Sequence, residues 1–322
     1  MTVCIATLFK WNYAAPGVPP KLEFAALTAS DRMITAADIQ YEPQQQKIAF
    51  FDGTMILVAG DIAIHSQAIL DTQKQIKDRK LHPYDIAQIY GRSIQAVNRK
   101  RAENEILGPL GLNTDTFLAQ QKDFSESFVN LVTGQLQGHR PVDSEALVVG
   151  TDGERAHIYS VDAYGNDTNL NAVGFGAIGI GAWHAKSRLM QAGHVSSRML
   201  APTLATIYAA KKNGEIAPGV GKHTDINIVL KDGVFPLWDR VAPELERLYG
   251  KYSDELTRIS NAFVGELQTF IDKSPVNEEG KSPDGKGPPG KDAQANAGTP
   301  TDTNAAVQGN ETREESGQEA AE

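Results

Sequence analysis

Residues 27–60 read LTASDRMITAADIQYEPQQQKIAFFDGTMILVAG, and this stretch limits the fold more than any other. Its apolar runs are four to eight residues long, too short for helices, and are separated by Asp-Gly and Pro-Gln signals. Such runs read as short strands of an antiparallel sheet. Asp31 ends one run, Lys47 starts another and Gly60 closes a third. The Asp52-Gly53 pair is a hairpin signal between residues 47–51 and 54–59.

The rest of the chain extends this pattern. Residues 3–9 are apolar on both faces and predict a buried strand. NYAAPGVPPK follows, too rich in Pro and Gly to continue it, and the sheet resumes over 24–30, with a further short strand at 33–37. After Gly60 the period becomes helical. Asp61 is a natural N-cap, and Ile62, Ala63, Ile69, Leu70 and Ile76 share a face of a helix reaching residue 79. His82-Pro83 ends it, and a second helix places Ile86, Ile89, Ile94 and Val97 inward. RKRAENE then reads as a solvated helix face, GPLGLN as a loop, and Phe124, Phe128, Val132 and Leu136 as a third helix ending at Gly138.

Strands return at 145–149 and 156–161 around Asp152-Gly153. The run VGFGAIGIG lacks a βαβ setting and an acid at the right distance, so it reads as a tight sheet turn and not a nucleotide loop. Helices are expected at 182–192 and at 203–212, the latter stopped by Asn213-Gly214, and a strand at 225–230. Strands, helices, strands, helices and a strand, joined by tight hairpins, suit an α+β fold with two antiparallel sheets between helical layers better than a doubly wound parallel sheet.

Apolar residues recur at threes and fours from Leu245 to Phe270, which predicts a helix over 243–273 packed on the body or a neighbouring subunit. From Ser274 onward there is no aromatic residue, Leu or Ile, so the segment cannot offset its ordering entropy and is expected to be disordered. This tail carries ten acids and four bases, a net −6 out of the chain's −9. The nearly balanced remainder argues against a nucleic-acid partner. Cys4 is the single cysteine, which excludes an intrachain disulfide and fits a reducing compartment. With no secretory signal pattern and no membrane-length apolar segment, the expected location is the cytoplasm, without a membrane partner.

Thr2 stands directly behind the initiator Met. Removal of that Met would expose a hydroxyl and a free α-amine on one residue. The amine, with a pKa near about 7.7 to 8.0, could act as base toward the hydroxyl. Cys4, on a buried strand and without such an amine, is the weaker nucleophile. The histidines have no metal-ligand spacing, so neither a metal nor a cofactor is expected.

Thr2, ASDRMIT, Lys47 sixteen residues after Asp31, and VAGD together resemble a proteasome β-type subunit of the N-terminal nucleophile (Ntn) hydrolase family, over roughly residues 2–233. ALVVGTDGERAHIYSVDAYG, AIGIGAWHA and TDINIVLKDG, with its Asp225, resemble later segments of the same family. The resemblance implies a four-layer αββα sandwich over 1–240, with the helix over 241–273 and the tail over 274–322 added. It implies a threonine peptidase acting on peptide or protein substrates, with Thr2 as nucleophile, Lys47 tuning it, Asp31 holding Lys47, and the Gly60 N–H facing the oxyanion. It also implies a homo-oligomer, and it leaves an ATPase partner open.

Two features depart from that pattern. The family's Gly-Ser-Gly serine falls on Ile180, and its Asp-x-x-Ser-Gly motif should precede Asp225, where APGVGKHTD has Ala217 and Val220. Missing orienting groups lower activity without removing a nucleophile. The alternatives are therefore a catalytically inactive subunit with a structural or binding role, and an amidase for small molecules.

Overall fold

The computed structural model describes residues 2–13, 21–36, 39–43, 48–51, 53–77 and 79–273. Met1, the centre of the Pro/Gly loop, Lys47, Asp52 and the acidic tail lie outside the described residues. In chain order the strands are β1 (Cys4–Tyr13), β2 (Lys21–Ser30), β3 (Ile34–Ala36), β4 (Ile39–Tyr41), β5 (Ile48–Phe51), β6 (Thr54–Gly60), β7 (Ser144–Thr151), β8 (Ala156–Val161), β9 (Asp167–Asn169), β10 (Phe175–Ile178), β11 (Asp225–Leu230) and β12 (Gly233–Pro236). The helices are α1 (Ile62–Ile76), α2 (Pro83–Ile106), α3 (Thr114–Gln120), α4 (Glu126–Gly138), α5 (Ala182–Gln191), α6 (Leu200–Gly214) and α7 (Trp238–Asp272). The chain divides into two compact units, Met1–Ile259 and Ser260–Glu322; all the described strands and α1–α6 belong to the first. In the second, residues 260–272 are helical. No described helix is long and apolar enough to cross a membrane.

The fold is α+β, with two five-stranded antiparallel sheets ordered β10-β1-β2-β11-β12 and β5-β6-β7-β8-β9. Alternation along β1 explains why its run is apolar on both faces. Cys4, Ala6 and Leu8 join Ala26 and Val229 of the first sheet and Met55, Leu57, Leu147 and Ile158 of the second in one core. Ile5 and Phe9 point the other way and pack with Leu27, Ile226, Leu189, Ile207 and Tyr208, the last three from α5 and α6. A third core joins Ile56, Val58 and Val148 to Ile64 of α1 and Ile86, Tyr90 and Ile94 of α2. Truncating a fully buried member such as Leu27 to Ala would cost about 2–5 kcal/mol.

Several local expectations differ in detail. β1 runs on to Tyr13, paired with Lys21, so both strands extend into the stretch read as a loop. Asp61 caps α1, accepting from the N–H groups of Ala63 at 2.8 Å and Ile64 at 3.1 Å. The face of α1 that turns inward carries Ile64, His65, Ala68, Thr72 and Ile76, while Ile62 and Leu70 are exposed. The periodicity misled because two inward residues are polar and bonded to α2: His65 to Tyr90, and Thr72 to Ser93. Helix α3 lies beyond the GPLGLN loop, in residues for which the sequence pattern predicts no element; Asn113, the last residue of that loop, caps it and forms a capping box with Thr116.

Candidate functional site

The site forms where β1 begins and β2 ends. Cys4 pairs with Ser30, so the residues just outside the ladder, Thr2 and Val3 on one side and Asp31 on the other, face each other. The Asp31 N–H donates to the Val3 carbonyl at 3.2 Å. Asp31 Oδ1 accepts from the Val3 N–H at 2.9 Å and from the Thr2 hydroxyl. Oδ2 accepts from the N–H groups of Met33 at 2.9 Å and Gly221 at 3.0 Å. The carboxylate is wholly buried and Thr2 is 2 % exposed. Four donors fix both atoms of this carboxylate, which makes its burial tolerable and its orientation definite.

The turn after β10 holds the other side of Thr2. The Gly181 N–H donates to the Thr2 carbonyl at 3.3 Å. Gly179 has φ +85°, and a Cβ there would lie 2.4 Å from the same oxygen, so this close approach needs glycine. Its N–H donates to Glu145 Oε2 at 2.8 Å. Glu145 pairs across the ladder with Ala59, next to Gly60. Contacts therefore run from Thr2 through Gly179 and Glu145 to the end of β6. Gly60 itself has φ +107°, and a Cβ would sit 2.2 Å from the Asp143 carbonyl oxygen.

Among the described residues, the cations Arg32 and Lys211 stand close by. Arg32 grips Asp225, Nε to Oδ2 at 2.7 Å, on the strand beside Ser30. Lys211 of α6 is wholly buried, and its ammonium donates to the Gly221 carbonyl at 2.8 Å and to Glu215 Oε1 at 2.7 Å. Burial pulls its pKa below the ordinary lysine value; Glu215 and Asp31 pull the other way. Lys211, Glu145 and Gly221 were not singled out in the sequence. Lys211 had a signal: it lies four residues after Ile207 and three before Gly214, on the inward face of α6.

Of the residues singled out for chemistry, Thr2 and Asp31 are in contact, Gly60 lies at the end of β6, and Lys47 falls outside the described residues. Cys4 is buried. Ile180 is exposed within the turn that brackets Thr2. The run VGFGAIGIG forms β10 and this turn.

One group of described residues has the composition of a metal site: His82, Asp152 and His157, whose ligand atoms lie within 4.8 Å of one another. Its hydrogen bonds point elsewhere. His82 Nδ1 accepts from the Tyr84 N–H at 3.0 Å, and His157 Nδ1 accepts from Asn171 Nδ2 at 3.0 Å. In neutral rings the protons then sit on Nε2, and His157 donates its own to Asp152 Oδ2 at 2.8 Å. A cation would have to displace this arrangement.

No protein-family model matches the chain, and no curated protein matches it. Among solved structures, Anbu (ancestral beta-subunit) from Yersinia bercovieri is similar with a TM-score of 0.54 and 13% identity, over 81% of this chain and 97% of that one. An Anbu (Gly-1) mutant from Hyphomicrobium sp. strain MC1 is similar with a TM-score of 0.53, at the same identity and coverage. At this identity the likeness is one of fold, and the fold is proteasome-like. It corrects the resemblance to a proteasome β-type subunit of the Ntn hydrolase family, because Anbu is proteasome-like but a distinct family. The family-specific serines were the part that did not match.

Proposed function

We propose that this proteasome-like chain is an amide-bond hydrolase that uses Thr2 after loss of Met1. The observation that carries the reading is the hydrogen bond from the Thr2 hydroxyl to a buried carboxylate that three backbone N–H groups hold in place. The freed α-amine takes the hydroxyl proton as the oxygen attacks a substrate carbonyl. Asp31 orients the hydroxyl, and the Gly60 N–H stabilises the oxyanion, a contribution of about 3 kcal/mol in comparable sites. As the tetrahedral intermediate collapses, the protonated α-amine returns its proton to the leaving nitrogen, the C–N bond breaks and the amine departs, leaving an acyl ester on Thr2 that water hydrolyses. Lys47 is the cation we assign to lower the pKa of the amine and alkoxide. The three apolar cores support a stacking of helices, sheet, sheet and helices. We further assign a homo-oligomer in the cytoplasm and peptide or protein substrates.

A second reading, a subunit without catalysis, is favoured by one observation: Thr2 is 2 % exposed in the chain that still carries Met1. Intact-mass measurement with a β-lactone or epoxyketone probe separates the two. The hydrolase loses Met1 and gains one adduct, which disappears in Thr2→Ala and slows in Lys47→Ala. Retained Met1, or a chain that stays unlabelled, establishes the second reading.

A further inference from the structure

His65 and Tyr90 form a buried polar pair behind the end of β6, where α1 packs on α2. The ring nitrogens of His65 have two partners: Nε2 lies 2.9 Å from the Ala59 carbonyl oxygen and Nδ1 lies 2.6 Å from the Tyr90 hydroxyl. A carbonyl oxygen only accepts, so Nε2 carries the proton. In the neutral ring Nδ1 is then the acceptor, and Tyr90 donates to it. The side chains form a directed relay, Tyr90 O–H to His65 to Ala59 C=O, and every donor in it is used.

The end of this relay is the peptide shared by Ala59 and Gly60. Its C=O belongs to Ala59 and its N–H to Gly60, and in a trans peptide the two point in opposite directions. Gly60 pairs with Ser144 in the ladder, while the Asp61 N–H donates to the Asp143 carbonyl at 3.0 Å. Hydrogen-bonded and non-bonded pairs alternate in an antiparallel ladder, so the Gly60 N–H is turned away from β7. On its other side the described part of β5 reaches only to Leu57. Among the described residues no strand pairs with the amide on that side, and its carbonyl is held by His65.

We propose that His65 is a positioning residue for the oxyanion donor. Its Nε2–H, fixed by Tyr90, orients and polarises the Ala59–Gly60 peptide so that the Gly60 N–H meets the developing negative charge. A hydrogen bond to the carbonyl strengthens the amide as a donor on its far side, because hydrogen bonds in a chain polarise one another. The inference rests on the hydrolase reading above and deepens it.

The test is the rate of β-lactone acylation of Thr2 in the full chain, followed by intact mass and separated into probe affinity and acylation rate. His65→Leu removes the donor and should slow acylation at least tenfold with probe affinity unchanged. His65→Gln keeps an N–H at the Nε2 position and should recover most of that loss. Tyr90→Phe frees the tautomer and should lower the rate severalfold. It also decides the matter if His65→Leu does not fold. Nitrogen-15 NMR of the His65 ring is read in parallel, with a protonated Nε2 and an unprotonated Nδ1 expected at neutral pH. Acylation of a folded His65→Leu or of Tyr90→Phe at the wild-type rate, or a ring protonated on Nδ1, overturns the inference and leaves the hydrolase reading intact. A wild type that no probe acylates overturns that reading, and the inference with it.

Discussion

Lys211 and Asp31 are joined through a single residue: the Gly221 carbonyl accepts from Lys211 Nζ at 2.8 Å, and the Gly221 N–H donates to Asp31 Oδ2 at 3.0 Å. A buried ammonium thus holds the turn that holds the carboxylate. Lys211→Met would strand the Gly221 carbonyl and leave Glu215 without its cation, and should cost about 3 kcal/mol in a denaturant titration. The lysine also has a pH signature. Its folded pKa lies below the ordinary 10.5, so between those two values the unfolded chain binds more protons. Stability should rise with pH through that window and level off above it, and Lys211→Met should remove the rise.

Asp31→Asn tests the carboxylate itself. An amide has one oxygen, so at least two of the four donors described above would face an NH₂ instead. Each buried donor left unpaired costs about 1–3 kcal/mol. We expect a loss of roughly 3 kcal/mol, read as a lower urea midpoint with unchanged slope. A loss below about 1 kcal/mol would mean that the start of β1 is not held as described.

Gly179→Ala and Gly60→Ala probe the turn beside Thr2 and the end of β6. Both positions combine positive φ with backbone oxygen closer than 2.5 Å to a would-be Cβ, Thr2 in one case and Asp143 in the other. Flexible side chains could yield, but backbone cannot, so each substitution should cost at least about 2 kcal/mol. Gly153→Ala is the control: φ is also positive, at +92°, yet nothing lies within 4 Å of a Cβ. It should lose only the smaller cost of backbone strain. Thermal melts of the three variants order them.

The sheets were legible in the sequence because their signals are local. Alternating apolar runs and Asp-Gly turns fix β5 to β8 to within a residue or two, and β1 is longer than expected only because its outer half, Lys10 to Tyr13, is less apolar. Asp31 and Thr2 were legible as a pair only through their order in the chain, and the structure brings them together at one end of a ladder. What stayed hidden depends on long-range burial. Lys211 looks like half of a surface Lys-Lys pair until α6 is packed on β1 and β2. Glu145 reads as a strand-start acid until the turn at Gly179 arrives beside it. His65 seemed scattered because Tyr90, 25 residues away, belongs to another helix.

Acidification should expose those hidden imidazoles. Burial is the leading cause that pulls the pKa of His65 below 6.5, with the Ala59 carbonyl, Asp61 and Asp143 opposing it. Tyr90 faces the ring as a neutral donor, its own pKa driven far up by burial. Burial also lowers His157, against Asp152, with His82 and Arg155 adding to the fall. For both groups the unfolded chain binds more protons between the folded pKa and 6.5. Stability is therefore complete above about 6.5, falls as the pH drops through that window, and is flat again below the folded values. The limit is about 1.4 kcal/mol per imidazole per pH unit. Carboxylates whose pKa is lowered, such as Glu103 at about 2, held by Lys100 and Thr114, lose their contribution only further down. Urea midpoints at pH 7, 6 and 5 should fall steadily in the wild type and less steeply in His65→Gln. Equal slopes in the two would mean that His65 is as easily protonated in the folded protein as in the unfolded chain.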